Sequence, residues 1–105
     1  MRSYDLLPRA REDILDLAAS ASAYTDEARD LLTDTLFDGF ERLSDFPDLG
    51  RDRSELAPGL RSFPINRLKV TVFYFTTAEG RDRVLIARVL RQERDVGPGA
   101  FPGGR

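Results

Sequence analysis

The sequence predicts an α+β fold of order β-α-α-β-β-β, with an antiparallel helix pair packed on one face of a small, mostly antiparallel sheet. Three observations carry this expectation. Apolar residues between positions 9 and 46 recur at three- and four-residue steps, the period of a helix face. From 61 to 92 they gather instead in β-branched and aromatic runs of strand length. Breaks at 22–25, 47–60 and 77–80 separate these runs.

Residues 3–7 (SYDLL) form a short strand with Tyr4 and Leu6 on one face. Pro8 ends it, since proline fits the first turn of a helix, where its missing N–H is no loss. The first helix, 9–22, lines up Ala10, Ile14, Leu17, Ala18 and Ala21. Thr25 is a good N-cap for the second, with Asp26 and Glu27 in the first turn, where the helix dipole favours negative charge. That helix runs to about Phe46, with Ala28, Leu31, Leu32, Thr35, Leu36, Phe40, Leu43 and Phe46 on its apolar face and Asp30, Asp34, Asp38, Glu41 and Asp45 on its wet face. Gly39 within it costs roughly 1 kcal/mol relative to Ala, and is expected to make room for the first helix. Pro47 and Gly50 stop the helix.

In the loop 47–60, Leu56 and Leu60 are expected to plug the sheet edge while Pro58-Gly59 turns; the alternative is a recognition loop. A short edge strand covers 61–65, with Pro64 marking the edge or the end. Residues 67–76 form a central strand, apolar on both faces, and a hairpin turn at Thr77–Gly80 leads to the last strand, 82–92. Residues 97–105 are Gly/Pro-rich and expected to be a flexible tail, dispensable for the fold. The sheet face away from the helices carries apolar residues too, so loop, tail or a partner segment must cover it.

Composition narrows the chemistry. There is no Cys, hence no disulfide, thiolate nucleophile or thiolate metal site. There is no His, which removes the commonest general base near neutral pH and excludes Ser–His and Cys–His nucleophilic sites. No cofactor or metal is expected. No apolar run approaches the roughly 18 residues of a spanning helix, and the opening residues lack the apolar core of a signal peptide, so a cytoplasmic protein is expected. Residues 1–50 carry five arginines against twelve carboxylates, a net −7; residues 51–105 carry eleven cations against six, a net +5. The basic half suits an acidic protein or a phosphate backbone, or it reflects solvated acidic helices and Arg-bearing strands.

The stretch 47–67, PDLGRDRSELAPGLRSFPINR, resembles the segment P-x-x-G-R-x-R-x-E-L-x-P-G-L-R-S-F-P-x-x-R of ParE-type toxins, in the RelE/ParE family of type II toxin–antitoxin systems. Val72-Phe73-Tyr74 is similar to that family's I-F-Y strand, and Ile86 to Val96 to its I-x-R-V-L-H-G-x-R-D-I strand. Leu7 to Asp16 resembles the family's opening L-x-P-x-A-x-x-D-L. The likeness covers about residues 4–96, within an expected toxin domain of 1–96. Arg91 stands where the family's last strand carries His, and Leu68-Lys69-Val70-Thr71 lengthen the strand before Val72-Phe73-Tyr74. The resemblance implies two helices against an antiparallel sheet, a cognate antitoxin, and DNA gyrase as the target; the wider RelE branch shares the fold but cleaves mRNA on the ribosome.

Candidate residues are weighed against these alternatives. As a ribonuclease, the chain would use Arg61, Lys69, Arg88, Arg91 and Arg94 to hold a scissile phosphate, but the acid or base expected late in the chain is missing: the last tyrosine is Tyr74. As an inhibitor, it would present Arg88, Arg91, Arg94 and Asp95 to its target by charge-assisted hydrogen bonds. Arg61, Phe63, Arg67, Phe73 and Phe75 would then meet the antitoxin. In a purely structural role, Arg88 and Arg94 pair with Asp95 or with helix carboxylates. Phe63, Phe73, Tyr74 and Phe75 are read as core and antitoxin groove rather than as base-stacking platforms, and direct nucleic-acid binding is not expected. A third reading is a toxin fold kept only as a binding module.

Overall fold

The computed structural model describes residues 4–77 and 83–92. Strand β1 (Tyr4–Leu6) leads into helix α1 (Pro8–Ser22), which is followed by α2 (Asp26–Asp45). Strands β2 (Arg51–Asp52), β3 (Arg61–Ile65), β4 (Val70–Thr76) and β5 (Val84–Arg91) complete the chain, in the sheet order β1-β5-β4-β3-β2. β1 runs parallel to β5 and every other pairing is antiparallel. The expected α+β architecture is therefore present, with one short strand more than the sequence predicts.

Local chemistry sets the helix boundaries. Pro8 occupies the first turn of α1, as its fixed φ favours. Thr25 caps α2, its hydroxyl accepting from the Ala28 N–H at 2.9 Å. The main core lies between helices and sheet: Ile14 and Leu17 from α1 and Leu36, Phe40 and Leu43 from α2 meet Val70, Val72, Tyr74, Val84, Ile86 and Val89. Phe40 packs against Tyr4 and edge-on to Phe37, with ring centroids 5.6 and 5.3 Å apart.

Four expectations need correction. Residues 66–69 do not extend the central strand. They form the β3–β4 turn, closed by the Ile65↔Val70 pair and by Leu68 and Lys69 N–H bonds to Ile65 and Asn66 carbonyls, with Lys69 in the left-handed region at φ 59°. The strand therefore begins at Val70, because cross-strand pairing rather than apolar pattern fixes where a ladder starts. Arg51–Asp52, expected to be loop, pairs with Ser62 and Arg61 as β2; two residues are too few to show a period. Gly39 makes room for a strand and not for α1: a Cβ there would lie 3.0 Å from Ile65 Cδ1. Leu56 and Leu60 do not plug an edge. With Ala57 they fold across the sheet face opposite the helices and bury Phe73 and Leu90 in a second, smaller core. The Pro58-Gly59 turn is present, with Gly59 at φ 78°.

The β4–β5 register steps between Phe73↔Arg88 and Tyr74↔Ile86, leaving Ala87 as the extra residue of a bulge. The bulge explains why β5 reads as apolar on both faces over Ile86, Ala87, Val89 and Leu90, all buried. The hairpin turn beyond Thr77, the residues Arg94 and Asp95, and the tail at 97–105 lie outside the described residues.

Candidate partner-binding groove

The long motif at 47–67 turns out to be a clasp. Tyr74 is fully buried, and its hydroxyl accepts from the Gly50 N–H at 2.8 Å and donates to the Pro47 carbonyl at 2.7 Å. Burial pushes this phenol above its ordinary pKa of 10.0, against the hydrogen bond from Gly50 and the nearby Arg61 charge. A Cβ on Gly50 would sit 2.5 Å from the Tyr74 hydroxyl and 2.9 Å from the Ser62 carbonyl, which is why the position is glycine. Arg61 closes the clasp from the other side, donating to the carbonyls of Gly50 at 2.6 Å and Asp48 at 3.3 Å, with the Asp48 carboxylate 3.6 Å away. Arg53 pairs with Glu55 at 2.7 Å, reaches Ser62 and lies 5.9 Å over the Phe73 ring.

Arg88 is also engaged. The Asp13 carboxylate receives Arg88 Nε at 2.8 Å, Arg88 Nη2 at 3.0 Å and the Val89 N–H at 2.9 Å. The two side chains are only 6% and 12% exposed, so this is a buried, bidentate ion pair tying α1 to β5 just beyond the bulge. The Asp13 hydrogen bond and charge raise the Arg88 pKa, against burial.

The basic residues singled out in the sequence therefore do not converge. Arg61 holds the loop, Arg88 holds a helix, and Arg67, Lys69 and Arg91 gather elsewhere, around a groove of about 390 Å³. The groove lies between the α1–α2 turn and the β3–β4 turn. Its walls are Leu17, Ser20, Ala21 and Tyr24 on one side, Ala28, Leu31 and Leu32 on a second, and Leu68 and Val70 on the sheet side. Tyr24 is 84% and Leu31 46% exposed, an apolar surface left to solvent at its mouth. Among the described residues, the side chains of Arg67, Lys69 and Arg91 have no ion-pair or hydrogen-bond partner.

Of the aromatic residues expected to meet a partner, Phe73 lies under the loop 53–60, Phe75 packs beside it, and Phe63 packs toward the helix-side core. Leu31 and Phe46, expected on the apolar face of α2, are exposed, and Tyr24 is not among the residues expected at a site. A bulky aromatic in an interhelix turn, beside an apolar stripe wider than one core face needs, is the signal that marks Tyr24 and Leu31. No group of three or more metal-ligating side chains occurs among the described residues, and no helix there is long and apolar enough to cross a membrane.

Comparison with known proteins completes the description. Residues 4–96 match the family model described as the ParE toxin of the type II toxin–antitoxin system parDE. Toxin ParE3 of Caulobacter vibrioides is 49% identical over 51 residues, which span 49% of this chain and 46% of that protein, so the chain matches about half the length of this curated relative. A solved structure titled as the chromosomal ParDE TA system from P. aeruginosa superposes with a TM-score of 0.70 over 87% of this chain and 96% of that one. At 17% identity that likeness carries the fold alone. With two helices on a five-stranded mixed sheet and a family match over nearly its whole length, the chain belongs to the ParE toxin family of type II toxin–antitoxin systems.

Proposed function

We propose that this ParE-family chain inhibits DNA gyrase in the cytoplasm without itself cutting nucleic acid, and that a cognate antitoxin neutralises it by direct binding. The observation that carries this reading is the division of the basic residues. A ribonuclease needs cations converging on one phosphate with an acid or base beside them. Here Arg61 is held by the loop carbonyls and Arg88 by Asp13, while Arg67, Lys69 and Arg91 border the groove. Tyr74, the last tyrosine, is buried with its hydroxyl bonded to Pro47 and Gly50 and its pKa raised, which unsuits it as a base.

The remaining cations border an apolar groove, a surface built for a protein partner. Arg91 is the described residue best placed among the expected target contacts, since it is exposed on the groove's rim. Arg67 plays the corresponding part among the expected antitoxin contacts. The test is a pair of assays on one preparation. Loss of gyrase supercoiling with intact transcripts on translating ribosomes supports inhibition. Untouched gyrase with codon-positioned cuts reassigns the chain to the mRNA-cleaving branch, and no effect in either assay leaves a binding module.

A further inference from the structure

A second exposed apolar surface lies at the other end of α2. Leu31 borders the groove, and Phe46 follows about 22 Å further along the helix axis, at about 1.5 Å per residue. Phe46 is 62% and Leu49 43% exposed. The Leu49 N–H donates to the Phe46 carbonyl at 3.0 Å, so the two residues are the ends of one turn, within about 7 Å of each other from Cα to Cα. The backbone of this turn faces the protein. The Tyr74 hydroxyl donates to the Pro47 carbonyl and accepts from the Gly50 N–H, and Arg61 donates to the Asp48 and Gly50 carbonyls. A surface turn can satisfy such groups with water. Here a buried phenol and a guanidinium satisfy them, at a glycine with no room for a Cβ, and the segment is fixed in one shape. The side chains of Phe46 and Leu49 are left outside as a rigid apolar knob. Anchors held in place before binding lose little freedom when they bind.

Charge indicates what receives the knob. The last two turns of α2 present Asp38, Glu41 and Asp45 against Arg42, all exposed, and Asp34 continues the same face at helical spacing. Among the described residues, Asp34, Asp38 and Asp45 have no ion-pair or hydrogen-bond partner. The groove has the opposite character, with three cations and no carboxylate in its lining. A segment acidic enough to suit the groove is repelled beside the knob. An enzyme that acts on DNA, by contrast, carries cations for the phosphates.

We infer that the Phe46–Leu49 knob is a contact with the gyrase target, entering an apolar pocket whose cationic rim faces Asp38, Glu41 and Asp45. The inference rests on the gyrase reading above and names a surface for it separate from Arg91 and the groove.

The experiment measures the concentration of purified full chain that half-inhibits supercoiling of relaxed plasmid by DNA gyrase. The chain is compared with Phe46→Ala, Leu49→Asp, Asp45→Lys and, as a control away from the knob, Leu15→Asp, a residue 69% exposed on α1. Thermal melts establish that each variant is folded, and calorimetry measures its binding to the proposed cognate antitoxin. Phe46→Ala and Leu49→Asp are each expected to raise the half-inhibiting concentration by about tenfold or more. Asp45→Lys, which changes charge and leaves the knob in place, is expected to raise it severalfold. The control is expected to inhibit normally, and all four variants to bind the antitoxin as the unchanged chain does.

Knob variants that inhibit as strongly as the unchanged chain overturn the inference while leaving the gyrase reading intact. An unchanged chain that leaves gyrase untouched overturns both. Folded knob variants that lose antitoxin binding assign the knob to the antitoxin and overturn the inference. A concentration-dependent dimer of the chain alone, dissolved by Leu49→Asp, assigns the knob to a second copy and overturns it as well.

Discussion

Asp13→Ala removes one carboxylate that serves three donors at once. Arg88 loses the Asp13 oxygens that its Nε and Nη2 donate to, and the Val89 N–H loses the same carboxylate. Because Arg88 is 5% exposed, water cannot replace what is lost without opening the seam between α1 and β5. Breaking a buried pair from one side costs about 3–5 kcal/mol, since the other charge stays buried. At an m-value of about 2 kcal/mol/M, that lowers the urea midpoint by about 1.5–2.5 M. For a domain whose whole stability is about 5–15 kcal/mol, the loss is large enough to populate the unfolded chain. Asp13→Asn keeps an acceptor oxygen for Val89 and is expected to lose less. Asp13→Leu and Arg88→Met are each expected to be costly alone, while the two combined remove both charges and recover most of the loss, so the double-mutant cycle shows a strong coupling. Urea unfolding followed by circular dichroism measures every chain. An Asp13→Ala variant within about 1 kcal/mol of the unchanged protein would refute the reasoning, because it would mean the pair is not buried as a unit.

Other outcomes follow from the same structure. Tyr74→Phe leaves the Gly50 N–H and the Pro47 carbonyl without their partner and is expected to cost about 1–3 kcal/mol in urea unfolding. Gly50→Ala is expected to cost a similar amount, about 1–3 kcal/mol, by crowding the Tyr74 hydroxyl, and the pair of changes less than their sum. The folded pKa of Tyr74 lies above the unfolded value, so its contribution is complete below about pH 10 and lost as pH rises through the folded pKa; melting temperatures should fall along that limb, and less steeply in Tyr74→Phe. Thr25→Ala removes the α2 cap and is expected to cost about 1 kcal/mol, again read from urea unfolding. Hydrogen bonds from the Ser54 hydroxyl and N–H hold the Asp52 carboxyl below its ordinary value, so an NMR titration should place it there and Ser54→Ala should move it back up.

The helices and the general order of the sheet were legible because their signals are local. Thr25, the apolar steps of Leu32, Leu36, Phe40 and Leu43, and the stop at Pro47 each act within a turn or two of chain. What escaped was decided by partners distant in sequence. The start of β4 depends on Ile65 pairing with Val70, and no pattern within 67–76 distinguishes Lys69 in a turn from Lys69 in a strand. Gly39 looked like room for a helix because helix contacts are what a helix pattern suggests; its neighbour is Ile65 of β3.

The basic residues show the same limit at the site. In sequence, Arg61, Arg67, Lys69, Arg88, Arg91 and Arg94 form one set, and only the fold distinguishes Arg88, paired with a residue 75 positions away, from the three at the groove. The reading of Arg88 as a structural residue paired with a helix carboxylate anticipated the contact but could not name Asp13 among the many acids of the helices. Tyr74 was placed in the core correctly, while its bonds to Pro47 and Gly50, which account for two landmarks of the 47–67 motif, needed the three-dimensional structure.

The most direct test of the functional account is a gyrase supercoiling assay with the purified full chain, titrated with the proposed cognate antitoxin. The account predicts that the chain inhibits supercoiling and that antitoxin restores it as the two approach equal amounts. Undiminished supercoiling at a large molar excess of folded chain would contradict it.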